Sequence, residues 1–193
     1  MNKTDAIATV IRETTDEPVI FTTGYSCRIA RSIADRANHF YMTGSMGLAA
    51  NIGIGVALAS RRPVVVVDGD GSLTMNPSCL FTAGALPDLR LVHLVLDDRS
   101  YESTGGQAVP SERIRFGALA LAAGYRDASQ TGDVGGLSEL LRAGLRCAGP
   151  TFVHCTIDSI QGMTPPPRIE PDLRWLAMRF TEYVKPAACS DNP

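Results

Sequence analysis

The sequence of 193 residues contains no run of about 18 consecutive apolar residues, the length that a membrane-crossing helix requires. Its opening decapeptide carries Asp5 and lacks the apolar stretch of a signal peptide, so a soluble, cytoplasmic protein without membrane partners is expected. Clustered basic residues are missing too. Eighteen Lys and Arg stand against twenty Asp and Glu, a formal net charge of −2, and no positive stripe is offered to a nucleic-acid backbone. The five cysteines, Cys27, Cys79, Cys147, Cys155 and Cys189, form an odd set with no C-x-x-C pair and no zinc-ligand spacing, which argues for free thiols in a reducing compartment. No internal repeat stands out.

What is present is ordinary for a globular chain: 45% apolar and 20% charged residues, near the usual averages. Since domains run to about 100–150 residues, one domain over 1–185 is expected, with 186–193 as a flexible tail. Ile7, Val10 and Ile11 share one face of a leading helix, and Pro18 to Thr23 is a β-rich run ending at Gly24. Ser26 is placed to cap a helix carrying Ile29, Ile33 and Ala34; a short strand follows over Phe40 to Met42, then a helix of small apolar residues over Leu48 to Ala59. Pro63 to Val67 is a β-branched run that reads as a strand buried on both faces. The alternation continues with helices around Ser78 to Leu86, Glu112 to Ala123 and Leu137 to Cys147, and strands at Leu91 to Leu96 and Thr151 to Ile157. Gly162 to Arg168 reads as an extended connector and Glu170 to Val184 as a final amphipathic helix. Strands and helices alternating at this spacing predict an α/β fold, a doubly wound parallel sheet with helices on both faces.

Such sheets bind ligands outside the carboxyl ends of their strands, and three loops there carry chemistry. Gly69-Asp70-Gly71-Ser72 follows the strand of valines, and Asp97-Asp98 ends the next strand. Asp70 and Asp98 are hard oxygen donors suited to Mg²⁺ or Ca²⁺. The glycines beside Asp70 let backbone amides approach a phosphate at the start of a helix. The plainer alternative is a tight turn in which Asp70 caps that helix. The other loops are Gly44-Ser45-Met46-Gly47 and Thr22 to Arg28. His93 and His154 lie in apolar strands and read as core residues, His39 reads as exposed ahead of a strand, and Cys27 reads as structural.

The run from Gly69 through Asn76 to Asp97-Asp98 resembles the diphosphate motif of thiamine-diphosphate enzymes. That resemblance implies thiamine diphosphate and Mg²⁺ as cofactors, with the metal on Asp70, Asp98 and the carbonyl of Ser100. It also implies a departure, because the family has Asn where this chain has Asp98. Met46 is implied as the apolar support of the bent cofactor and the Gly44 carbonyl as an acceptor from its aminopyrimidine. Gly24, Ser26, Ser45, Gly69, Gly71, Ser72 and Tyr101 complete the implied cofactor contacts. Together with Tyr101 to Gln107, these segments look like the cofactor-binding half of sulfopyruvate and phosphonopyruvate decarboxylases.

The resemblance implies a further absence. Family members use an activating glutamate from a pyrimidine-binding domain, and neither Glu13 nor Glu17 occupies a matching motif. A pyrimidine-binding α subunit in a hetero-oligomer is therefore the expected partner, and a small anionic 2-oxo acid the expected substrate. By loop position Arg28, Arg99, Ser103, Thr104 and Gln107 are nearest to such a substrate, although either arginine could instead be solvated or paired with Asp98 or Asp35. Two other functions remain open: an acetolactate-synthase-like carboligase using the same site, or a non-catalytic nucleotide- or cofactor-binding module, for which Gly53-x-Gly55 is the one hint.

Overall fold

The structure, a computed structural model, describes residues 1–159, 164, 166–170 and 172–185. The expected connector from Gly162 is thus described only in part, and the expected tail, Cys189 included, lies outside the described residues. In chain order the elements are α1 (Lys3–Glu13), β1 (Val19–Phe21), α2 (Tyr25–Ile33), β2 (His39–Tyr41), α3 (Ala49–Ser60), β3 (Val64–Gly69), α4 (Asp70–Met75), α5 (Ser78–Gly84) and β4 (Leu91–Asp97). There follow the small strands β5 (Ser100–Tyr101) and β6 (Gln107–Ala108), a 3₁₀ turn at Pro110–Arg113, α6 (Phe116–Ala123), β7 (Asp127–Thr131), α7 (Val134–Arg146), β8 (Thr151–Thr156) and α8 (Leu173–Val184).

Six strands form one parallel sheet in the order β2-β1-β3-β4-β8-β7, as the alternation of elements predicts. Its two faces are covered by separate cores. Val65 and Val67 point with Phe21, Leu94 and Leu96 toward α1, α2 and α7, while Val64 and Val66 point with Ile20 and Val95 toward α3, α5, α6 and α8. The period of two along a strand accounts for this division and for the unbroken apolar run of β3. Gly53 lets α3 lie against β3, since a Cβ there would stand 2.2 Å from Val66 Cγ2. The Gly53-x-Gly55 hint is therefore explained at Gly53 by helix packing.

Several local expectations are corrected. Ser26 does not cap α2: the cap position is Gly24, whose φ of 101° suits glycine, and Ser26 is buried in the first turn. His39 is not exposed but lies inside β2 with no accessible surface, where its Nδ1 is 3.1 Å from the Ala34 carbonyl oxygen and burial pushes its pKa down to about 4. The helix expected from Glu112 begins at Phe116, because the chain first makes the 3₁₀ turn and then extends through Ile114. β7, Asp-Ala-Ser-Gln-Thr, has no apolar alternation and pairs only with β8 at the sheet edge. The expected core roles hold for His93, which has no accessible surface, and Cys27 is buried with its thiol pKa raised by that burial.

Candidate functional site

From β1 the chain runs outward to β2 and then returns to β3 on the other side of β1. The loops leaving β1 and β3 therefore part at the carboxyl edge of the sheet, which is where an open α/β sheet forms its crevice. A cavity of about 40 Å³ opens there. Asp70, Asp98, Lys3, Tyr101 and Glu102 line it, together with Thr22, Ser26, Met46 and Gly69 to Ser72. A wider groove of about 310 Å³ shares Thr23, Met46 and Ser103 with it and continues past Gly24, Arg28, Gly44, Ser45 and Thr104. The first has room for an ion and phosphate oxygens; the second reaches the size range of small-molecule sites.

The loops are fixed to one another by small side chains. Ser72 Oγ accepts from the Gly47 amide at 3.1 Å and lies 3.2 Å from Thr22 Oγ1, joining the loops after β1, β2 and β3. Asn76 Nδ2 donates to the Gly47 carbonyl at 2.8 Å. Gly71 is needed where it stands, because a Cβ would come 2.4 Å from Cε1 of Tyr101. The same ring lies beside Thr74, whose hydroxyl is 3.2 Å from the Tyr101 hydroxyl.

The carboxylates differ sharply. Asp70 is 3% exposed and its Oδ2 is buried without a hydrogen-bond partner. Burial, the closeness of Asp97 and the charge of Asp98 push its pKa up to about 8, against the pull of the Gly71 amide. Asp97 accepts from His154 Nε2 at 2.8 Å, from the Ser111 hydroxyl at 2.8 Å and from the Arg99 amide at 3.0 Å. Burial alone would raise the Asp97 pKa, but His154, the Ser111 hydroxyl and the neighbouring Asp70 carboxyl hold it at about 2. Asp98 Oδ2 accepts from Lys3 Nζ at 2.5 Å and Oδ1 from the Ser100 amide at 3.2 Å. Lys3 Nζ also donates to Glu102 Oε2 at 2.7 Å. Burial pushes the Asp98 pKa up to about 6, with Glu102 adding to the rise and Lys3 opposing it.

This donor set fits a hard divalent cation. Among the described residues no three His, Cys, Asp or Glu side chains converge as a metal cage, but Mg²⁺ is commonly held by one or two carboxylates with phosphate oxygens and water. A buried carboxylate oxygen with nothing to bind is costly in the absence of a cation. Asp70 and Asp98 would hold such an ion, and the fused cavity and groove give room for an organic diphosphate beside it.

The model of the family described as thiamine pyrophosphate enzyme, C-terminal TPP binding domain, matches residues 22–155. The chain belongs to this family. As a TPP-binding domain it is 44% identical over 171 residues to a phosphonopyruvate decarboxylase of Streptomyces viridochromogenes, covering 88% of this chain and 42% of that one. It is 36% identical over 187 residues to the sulfopyruvate decarboxylase subunit beta of Methanothermobacter thermautotrophicus, covering 97% of each. The chain thus spans less than half of the first relative and nearly all of the second. A thiamine diphosphate-dependent 4-hydroxybenzoylformate decarboxylase of Rhodococcus jostii has the same fold, with a TM-score of 0.67 at 20% identity over 82% of this chain and 33% of that one.

Within this TPP-binding domain the expected site residues are not all gathered. Asp70, Asp98, Ser100, Gly69, Gly71, Ser72, Ser26, Met46 and Tyr101 line the cavity, and Gly24, Gly44, Ser45, Arg28, Ser103 and Thr104 line the groove, with Met46 and Ser103 shared. Arg99 and Gln107 line neither. Arg99 turns outward to an exposed ion pair with Glu112 at 2.7 Å, and Gln107 Oε1 accepts from the exposed Thr104 hydroxyl. Arg28 lies over the Tyr25 ring at 5.2 Å instead of pairing with Asp35. Sequence reasoning missed Lys3, Glu102, the Asp97–His154 pair and Arg168, which joins Arg28 in the groove. Glu102 stood within a motif already singled out; for Lys3, 95 residues from Asp98, the sequence holds no signal.

Proposed function

We propose that the chain is the diphosphate-binding subunit of a thiamine diphosphate- and Mg²⁺-dependent decarboxylase, cytoplasmic and hetero-oligomeric, with 1–185 as its single domain. The reaction converts sulfopyruvate or phosphonopyruvate to the corresponding aldehyde and CO₂. The observation that carries the metal assignment is the bare, buried Oδ2 of Asp70 in the cavity it shares with Asp98. The names of the relatives support the substrate class.

When bound, thiamine diphosphate supplies the electron sink that decarboxylation of a 2-oxo acid needs. Asp70, Asp98 and the Ser100 carbonyl would hold Mg²⁺, which would supply positive charge to the anionic cofactor. The loops joined by Ser72 keep Met46 in place between cavity and groove. Arg28 and Arg168, with the hydroxyls of Ser103 and Thr104, give the groove donors for a sulfonate or phosphonate. The activating glutamate comes from a pyrimidine-binding partner; the end-to-end match to a chain named as a subunit supports this.

The test is co-expression with a candidate pyrimidine-binding chain and incubation with Mg²⁺, thiamine diphosphate and either acid. NMR should show the aldehyde and evolved CO₂ only when both chains are present. Absence of CO₂ from both acids would refute the decarboxylase reading, and a product with a new carbon–carbon bond would replace it with a carboligase.

A further inference from the structure

Lys3 is the one cation among the described side chains that line the cavity, and it enters from α1, which supplies no other cavity-lining residue. Its aliphatic stem and ammonium are buried, at 9% exposure for the residue. The capping box between Asn2 and Asp5 fixes the first turn of α1 around it, so the ammonium is delivered by a rigid element. It meets Asp98 on Oδ2, while Oδ1 of the same carboxylate faces the Ser100 amide. The two oxygens are therefore divided between a protein cation and the loop on which a metal would sit. A buried carboxylate with no cation beside it would repel an incoming diphosphate through a medium that screens poorly.

We propose that Lys3 is the resident counter-cation of the diphosphate site, cancelling the charge of Asp98 so that this carboxylate lends an oxygen to the metal without repelling the anionic cofactor. The inference rests on the metal reading given under the proposed function. Lys3 does not plug the site: it takes the oxygen of Asp98 that is turned from the Ser100 amide and bridges on to Glu102. Lys3 offsets one of the two carboxylate charges it touches, so the cluster of Lys3, Asp98 and Glu102 carries one net negative charge instead of two. Removing Lys3 makes the pocket more negative, which favours a free divalent cation and disfavours a diphosphate. The two affinities must then move in opposite directions, which neither a purely structural role nor a competing plug would produce.

The experiment uses the full chain and its Lys3→Met, Asp98→Asn and doubly substituted forms. Mn²⁺ alone is titrated by electron paramagnetic resonance, and inorganic pyrophosphate by calorimetry at saturating Mg²⁺. Lys3→Met should bind Mn²⁺ about tenfold more tightly and pyrophosphate about tenfold more weakly. The double form should return pyrophosphate affinity to within about threefold of the native chain, because its charge is restored. Both affinities falling, both rising, or neither moving would overturn the role of Lys3. Should Lys3→Met fail to fold, Asp98→Asn alone decides: tighter pyrophosphate binding supports the role, and unchanged or weaker binding overturns it. A native chain that fails to bind Mn²⁺ or pyrophosphate would instead overturn the metal reading itself.

Discussion

The tips of β3 and β4 are neighbours in the sheet and both are acidic, yet they are finished in opposite ways. At the tip of β4 the protein supplies partners: His154, Ser111 and the Arg99 amide to Asp97, and Lys3 and the Ser100 amide to Asp98. At the tip of β3 it leaves Asp70 Oδ2 buried and bare. Buried polar atoms in folded proteins are nearly always satisfied, and an exception calls for a physical reason such as a bound ion, an ordered water or a functional strain. The contrast makes β4 the fully partnered wall of the site and β3 the side on which the proposed ion would sit.

Breaking the β3 side should have the largest effect. Asp70→Ala should weaken Mg²⁺-dependent thiamine diphosphate binding by about a hundredfold or more, about 2.7 kcal/mol, while circular dichroism shows the fold retained. The same residue sets a pH dependence. Its folded pKa of about 8 lies above its ordinary value of 3.8, so between these pH values the folded state binds the extra proton and the metal-free chain loses stability as pH rises. Asp97 acts oppositely: held at about 2, it adds stability above pH 3.8 that is lost as pH falls toward 2. Denaturation midpoints between about pH 6.5 and 8, above the range in which Asp98 and His39 titrate, should therefore show a decline in the native chain that Asp70→Asn flattens. A native profile that rises over that range would contradict the account of Asp70.

Next in size is the contact that joins the two tips. Gly71→Ala would drive a methyl into the Tyr101 ring, so the ring must leave Thr74. Overpacking of this kind costs about 1–3 kcal/mol, and cofactor affinity should fall with stability. Tyr101→Ala in the same chain should recover part of the stability; no recovery would place the strain elsewhere. Smaller again is His154→Phe, which removes the donor to Asp97 Oδ2 at a cost of about 1 kcal/mol, since Oδ1 keeps the Ser111 hydroxyl and the Arg99 amide. Chemical denaturation measures it, and the loss should be larger at neutral pH, where Asp97 is ionised.

The fold was legible because its signals are local. Val64 to Val67 announces a two-sided strand, and Gly69-Asp70-Gly71 announces a loop at its end. The polar edge strand β7 and the two-residue strands β5 and β6 were not legible, since an edge strand needs no apolar alternation and a two-residue strand has none to show. In the site, Asp70 and Asp98 could be read because each ends a recognisable strand. Their partners could not: His154 lies 57 residues from Asp97 and Lys3 lies 95 from Asp98, and only the crossing of α1 and β8 beside β4 brings them together. His39 was misjudged for a related reason, since a polar side chain next to a strand looks exposed until Ala34 and Tyr41 are found around it.

The smallest effect sharpens the comparison by marking where the β4 wall ends. Arg99 sits between Asp98 and Ser100, and its backbone takes φ of 63° so that the amide reaches Asp97 while the side chain turns to Glu112. Both partners of that ion pair are well exposed, at 60% and 67% for their side chains, and exposed pairs contribute about 0–1 kcal/mol. Arg99→Ala should therefore change stability by no more than about 0.5 kcal/mol and leave Mg²⁺ and thiamine diphosphate affinity unaltered in calorimetry, because the amide that serves Asp97 remains. Arg99→Gly should behave alike, since glycine accepts the left-handed backbone freely. A clear loss of substrate affinity in Arg99→Ala, with cofactor binding intact, would show that the guanidinium swings from Glu112 into the groove when substrate arrives, and the wall would then extend one residue further than the two carboxylates.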